Sequence, residues 1–208
     1  MTSKQPVILM RGGGDLASGV ALRLHRVGLK LVITELAQPL TVRRLVSFSS
    51  AVFDKRVNVE GVVAQLVDSV DEALRVLQRG QIPVLVDPDG EVRLAPELDL
   101  LAIIDARMTK KPPDLGMDAA PLVIGLGPGF NAGVNCHAVI ETNRGHALGR
   151  VIWDGEPQAD TGLPGKVATF RAERVLRAPV DGVIQDGLEL GLRVSRDQVI
   201  ATVEGQPV

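Results

Sequence analysis

Apolar residues fall into two rhythms along this chain. Short unbroken runs, bounded by glycine, proline or an acid, mark strands buried on both faces; apolar residues at every third or fourth position mark helices. Residues 7–10 form the first run, and Leu16, Val20, Leu24 and Val27 then recur at helical spacing, with Gly28 placed to end the helix. A second run over 31–34 ends at Glu35. Pro39 marks a turn or helix start, after which Val42, Leu45 and Val46 are expected to pack inward from a short helix. Residues 57–59 and 62–63 read as extended pieces broken by Gly61. Ser69 and Glu72 have capping-box spacing and open a helix to residue 78, with Ala73, Leu74 and Leu77 on one face. Runs over 82–86 and 100–104 are further strands; turn residues at 87–90 and a short hairpin arm over 91–94 lie between them. Strand and helix thus alternate over 7–105, which predicts an α/β fold with a Rossmann-like, mainly parallel sheet covered on both faces.

The rhythm changes beyond residue 105. Residues 108–116 are proline-rich and basic, hence a loop. An apolar strand from Leu122 runs into Gly125-Leu-Gly127-Pro-Gly129, where Pro128 prevents an immediate helix and leaves a rigid backbone cradle. A strand over 136–141, a turn over 142–145 and a strand over 148–153 predict a hairpin, followed by a loop over 154–165. The remainder, 173–204, holds only short strands and turns. Its order, Ala178-Pro-Val-Asp-Gly-Val-Ile184, then Gly191 and Val194, then Gln198 to Glu204, resembles half of a biotinyl/lipoyl-like sandwich barrel. No lysine follows Lys166, so the module carries neither biotin nor lipoate and reads as a scaffold or docking piece. Open edges in such a half favour either a truncated chain or pairing in a homodimer. The expected organisation is a Rossmann-like α/β domain over 1–120, a glycine-loop and β-hairpin region over 121–165, and a partial sandwich-barrel-like β module over 166–208.

Candidate chemistry concentrates at the first turn. Arg11-Gly12-Gly13-Gly14 links strand to helix, with Asp15 placed to cap it and Ala17 at the small third position of a G-x-G-x-x-G/A pattern. Gly12 permits the tight turn, Gly14 lets backbone N–H groups approach a phosphate, and the helix N-terminus adds partial positive charge. Glu35 ends the second strand, where an acid can hydrogen-bond ribose hydroxyls. The competing explanation is that the glycines only let helix and sheet pack closely. Arg11 either meets a ligand phosphate or reaches solvent. Arg43 and Arg44 follow the second strand, where an arginine can accept a 2′-phosphate, and periodicity does not separate them. Asp105 and Arg107, just past a strand end, read first as a structural pair. Gly125, Gly127 and Gly129 are expected to cradle ligand, facing a polar wall of His137, Glu141, Asn143 and Arg144. His137 is the candidate acid or base. His137, Glu141 and His146 are metal-capable but match no zinc spacing, so no metal is expected.

Composition narrows the classes. With 208 residues, a 45% hydrophobic and 23% charged share and a net charge of −2, the chain has the makeup of a globular protein without a basic footprint. Nucleic acid is therefore not an expected partner, and neither is membrane, because no apolar run reaches spanning length. The N-terminus leads directly into the first strand, so no signal peptide is expected, and the single Cys136 suits a reducing cytoplasm. There is no tyrosine.

These motifs together resemble a known family. Residues 7–24 around Arg11-Gly-Gly-Gly-Asp15, Glu35-Leu36 with Pro39-Leu40 and Val42-Arg-Arg44, Ile104-Asp-Ala-Arg107, Gly125-Leu-Gly-Pro-Gly-Phe130 and residues 137–146 look like the YqeB-type proteins. Those are accessory factors of the selenium-dependent molybdenum hydroxylase system. The resemblance implies a maturation factor with such a hydroxylase as partner, and a family chain that continues into the other barrel half. Joined to the glycine turn, it suggests a factor that binds a phosphorylated cofactor, either a nucleotide or a molybdopterin species. The alternatives are an NAD(P)-dependent oxidoreductase, which the missing tyrosine disfavours, and a structural adaptor with no ligand.

Overall fold

An unbroken apolar run has no polar face to give to water, so its strand belongs in the middle of a sheet. The computed structural model describes residues 4–160, 162 and 175–208. The first elements are β1 (Gln5–Arg11), α1 (Asp15–Arg26), β2 (Leu31–Glu35), α2 (Ala51–Asp54), β3 (Arg56–Val59) and β4 (Val62–Leu66). Then come α3 (Val70–Gln78), β5 (Ile82–Val86), β6 (Leu98–Asp105), β7 (Val123–Leu126), β8 (Ala138–Ile140) and β9 (Val151–Ile152). Among the described residues these nine strands form one sheet, ordered β3-β4-β5-β2-β1-β6-β7-β8-β9. Neighbours from β4 to β8 pair in parallel, and β3 and β9 close the edges antiparallel. The expected α/β class with a mainly parallel sheet is what the chain forms.

Successive residues of the central strands feed opposite faces. Ile8, Met10, Leu31, Ile33, Ile82, Val84 and Ile104 join a core under α1, with Phe48 and Ala51. Val7, Leu9, Val32, Leu85 and Ile103 join a second core under α3, with Val76 and Leu77. Each fully buried large side chain contributes about 1.5–3 kcal/mol by leaving water. The capping box at α3 forms: Ser69 Oγ accepts from Glu72 N–H at 3.2 Å, and Glu72 reaches back to Asp68 N–H at 3.0 Å.

Three local expectations need correction. Helix α1 does not bury Leu16 and Val27, which are exposed; its sheet-facing side is Ala17, Ser18, Ala21 and Leu22. Small residues there let the helix axis approach the strands, so the apolar stripe turns by about one position. Residues 44–46 form only a single 3-10 turn, and Val42, Leu45 and Val46 stay exposed. Residues 91–94 are also a 3-10 turn, not a hairpin arm, because Asp87 accepts hydrogen bonds from Glu91 and Val92 N–H at 3.0 and 2.9 Å.

The chain divides into two compact units, Met1–Asp160 and Thr161–Val208. Residues 121–160 extend the first sheet through β7, β8 and β9. In the second unit β10 (Ile184–Gln185), β11 (Thr202–Val203) and β12 (Gln206–Pro207) form a small antiparallel sheet in that order. The expected boundary at 166 and the start of the β module at 173 and 174 lie outside the described residues. Among the described residues no helix is long and apolar enough to cross a membrane.

Candidate functional site

The chain reverses direction across the sheet next to β1: β2 lies on one side and the later strand β6 on the other. Such a switch point opens a crevice at the carboxyl ends of the strands. A cleft of about 830 Å³ lies there, lined by the ends of β1, β2, β5 and β6 and by the first turn of α1. Its volume falls in the ordinary range for small-molecule sites, roughly 300–1,000 Å³.

The fold fixes two of the three turn glycines and leaves the third free. Gly12 has φ +90, and a Cβ there would stand 3.1 Å from Arg107 Cα. Gly13 has no room: a Cβ would meet Ser49 N at 2.9 Å and Ile33 Cγ2 at 3.2 Å. Its carbonyl accepts from Ser49 N–H at 2.8 Å and from Ser18 Oγ at 3.0 Å, and its N–H donates to Glu35 Oε1 at 2.7 Å. Gly14 is different. It is the N-cap of α1 with φ −63 and ψ −178, a conformation open to any residue, and the nearest atom to a Cβ would be Thr41 Oγ1 at 3.7 Å. Neither backbone nor packing requires glycine at 14.

The helical ladder of α1 begins with Ser18 N–H donating to Gly14 O at 2.8 Å. The N–H groups of Asp15, Leu16 and Ala17 precede that ladder and have no intrahelical acceptor. All three residues line the cleft. Asp15 is the first helical residue, not the cap as expected, and it pairs with Arg43, Nη1 to Oδ2 at 2.6 Å. Arg43 lines the cleft, whereas Arg44 lies over the Phe53 ring at 4.6 Å and near Asp54. Glu35 also lines it; its second oxygen accepts from Leu36 N–H at 2.8 Å. Two backbone donors therefore fix the carboxylate, and each oxygen retains acceptor capacity for a ligand hydroxyl.

Arg11 meets neither the cleft nor solvent. Its side chain is fully buried, donates to Pro88 O at 2.9 Å and to Asp114 Oδ2 at 2.9 Å, and lies 3.5 Å from Asp105. Arg107, on the cleft wall, pairs with Asp105 (Nη2 to Oδ2, 2.6 Å) and with Asp114 (Nη2 to Oδ1, 2.6 Å). Burial works against the Arg107 charge, but its hydrogen bonds to Asp105 and Asp114 more than offset this and hold its pKa above the usual arginine value. Hydrogen bonds from Arg11, opposed by partial burial and joined by those from Arg107, hold the Asp114 carboxyl well below the usual carboxylate range.

Packing alone accounts for the glycines of the second stretch. A Cβ on Gly125 would strike the Phe130 ring, one on Gly127 the Thr142 side chain, and one on Gly129 the Lys111 carbonyl. Protein atoms already fill the space, and none of the three lines the cleft. The residues expected to form a polar wall do not line this cleft either. His137 Nδ1 accepts from Val123 N–H at 2.9 Å, tying β8 to β7. Glu141 is buried and accepts from Asn143 and Gln158 N–H, each at 2.7 Å. Asn143, Arg144 and His146 are exposed, away from the cleft lining. Among the described residues no three His, Cys, Asp or Glu side chains gather to hold a metal.

Sequence reasoning missed Thr34, Leu36, Leu40, Thr41, Met108 and Thr109 on the cleft wall and Asp114 behind it. Only their place after strand ends marked the lining residues; Asp114, within Lys-Lys-Pro-Pro-Asp, carried no periodic signal at all. No family model and no solved structure matches the chain. It is 46% identical, over 201 residues, to a protein of Escherichia coli (strain K12) described as "Uncharacterized protein YqeB". That match covers 97% of this chain but 37% of the relative, so the chain spans little more than a third of the protein it resembles. The likeness supports the reading of this chain as related to the YqeB-type proteins.

Proposed function

We propose that the cleft binds a phosphorylated cofactor, a nucleotide or molybdopterin species, and that the chain serves as an accessory factor in maturation of selenium-dependent molybdenum hydroxylases. The observation that carries the binding is Gly14. Every other glycine of the turn is required by the fold; this one only keeps space open in front of unladdered N–H groups. A phosphate there would accept from the N–H groups of Asp15, Leu16 and Ala17 and gain from the helix dipole. Glu35 would take a hydroxyl of the attached sugar or ring side chain, and Arg43 would meet a further negative group at the rim. The maturation role, the hydroxylase partner and the likeness of the second unit to part of a sandwich barrel rest on the resemblance alone.

The adaptor and oxidoreductase readings predict different binding. Calorimetry and thermal shift with NAD, NADP, ATP, CTP and molybdopterin forms separate them, since a ligand that binds only the folded state raises its melting temperature. One phosphorylated member should bind, and Gly14→Val should abolish it while leaving the fold intact. Failure of every member to bind sinks the cofactor reading. Nicotinamide binding with turnover of a test substrate would favour the oxidoreductase instead, and co-purification with the hydroxylase tests the partner.

A further inference from the structure

Two guanidinium groups converge on one carboxylate behind the cleft. Both terminal nitrogens of Arg11 and both of Arg107 donate to Asp114. The arginines do not depend on Asp114 for their positions. Arg107 is held by Asp105 through Nε at 3.0 Å and Nη2 at 2.6 Å, and Arg11 by Pro88 O. Asp114 is the loosely founded member. It stands in the loop between β6 and β7, its side chain is 48% exposed, and among the described residues its side-chain hydrogen bonds go to the two arginines. Met108 and Lys110, earlier in the same loop, have φ +56 and +59, backbone values that side chains other than glycine adopt at a cost. Arg11 Nε is buried and has no hydrogen-bond partner among the described residues. Without Asp114 the cluster would hold two positive charges against Asp105 alone.

Paired arginine forks suit carboxylate and phosphate equally well. The backbone of Arg107 adjoins Gly12, so the pair stands beside the glycine turn. We propose that Arg11 and Arg107 form a subsite for a tetrahedral oxyanion, a phosphoryl group, for which Asp114 and the ligand compete. Binding then releases the loop that carries Asp114. This subsite is separate from the grip at the start of α1 and stands or falls independently of it.

The probe is inorganic phosphate, titrated calorimetrically into the full chain. If Asp114 occupies the subsite about ten times as often as not, Asp114→Ala binds phosphate about tenfold tighter than the parent. Phosphate should also restore part of that variant's melting temperature, and adding Arg107→Gln should remove the gain. Adding Gly14→Ser should leave the gain in place; its loss there would put the phosphate at α1 and overturn the subsite. Equal affinity of Asp114→Ala and parent, with no thermal rescue, also overturns it. Should Asp114→Ala fail to fold, hydrogen exchange on the parent chain provides the test. Phosphate should speed exchange over residues 109–116; unchanged or slowed exchange there refutes the competition.

Discussion

Replacing Gly14 by serine separates a glycine kept for the fold from one kept for a ligand. The N-cap of a helix favours serine over glycine by a few tenths of a kcal/mol, because Oγ accepts from an N–H of the first turn. The backbone at Gly14 is already extended, and a Cβ would meet nothing closer than 3.7 Å. Gly14→Ser should therefore leave stability unchanged or raise it by about 0.3 kcal/mol. Gly13→Ala, one position earlier, forces a Cβ within 2.9 Å of Ser49 N and should cost about 1–3 kcal/mol by overpacking. Urea unfolding followed by circular dichroism measures both as shifts in midpoint at constant slope. Binding should move the other way. The serine hydroxyl takes a donor that a phosphate would use, and a hydrogen bond to a charged group is worth about 1.5–3 kcal/mol. Affinity for the tightest member of the cofactor panel should then fall roughly ten- to hundredfold. A loss of more than about 1 kcal/mol of stability in Gly14→Ser refutes the reasoning. So does unchanged affinity in a variant that is as stable as the parent.

Arg11→Met removes the fully buried partner of Asp105 and Asp114 and should cost about 3 kcal/mol or more in urea unfolding. Arg11→Lys should not recover it, because an ammonium cannot make the forked contact. Since the Asp114 carboxyl is held low in the folded state, its contribution is fully present above the unfolded carboxylate pKa near 3.9 and fades as pH falls through the lower folded value. The stability advantage of the parent over Asp114→Asn should accordingly be flat from pH 5 to 7 and shrink in acid, as read from melts across about pH 2–7. Cys136 is fully buried, and burial pushes its thiol up. A thiol-reactive dye should label it only on unfolding; rapid labelling of the folded chain would contradict the packing of Cys136 in the core beneath β8.

The strands were readable because the chain states them in its simplest form, as unbroken β-branched runs, and β2 and β5 fall where those runs lie. The parallel order followed from the helices between them. The glycine turn with Glu35 was readable because strand, turn, helix and acid are contiguous in sequence. What stayed hidden depends on distant partners. Glycines at 125, 127 and 129 look identical in sequence to ligand-binding glycines, and only Phe130, Thr142 and Lys111 reveal why they lack side chains. Arg11 could be placed in the turn but not paired, because its partners come from 88, 105 and 114. Likewise, Val42 and Leu45 are apolar at helical spacing, yet among the described residues no second element covers them.

The placement of β1 has a consequence for synthesis on the ribosome. Its register partners on one side begin at Leu31, but those on the other begin only at Leu98. At roughly 5–20 residues per second, the ninety or so residues between Gln5 and Leu98 leave one edge of β1 unpaired for roughly 5–20 seconds. During that interval Val7 to Met10, without a charge among them, form an exposed template for pairing with another nascent chain. The strand that finally anchors the sheet is thus also the one for which early chaperone cover matters most.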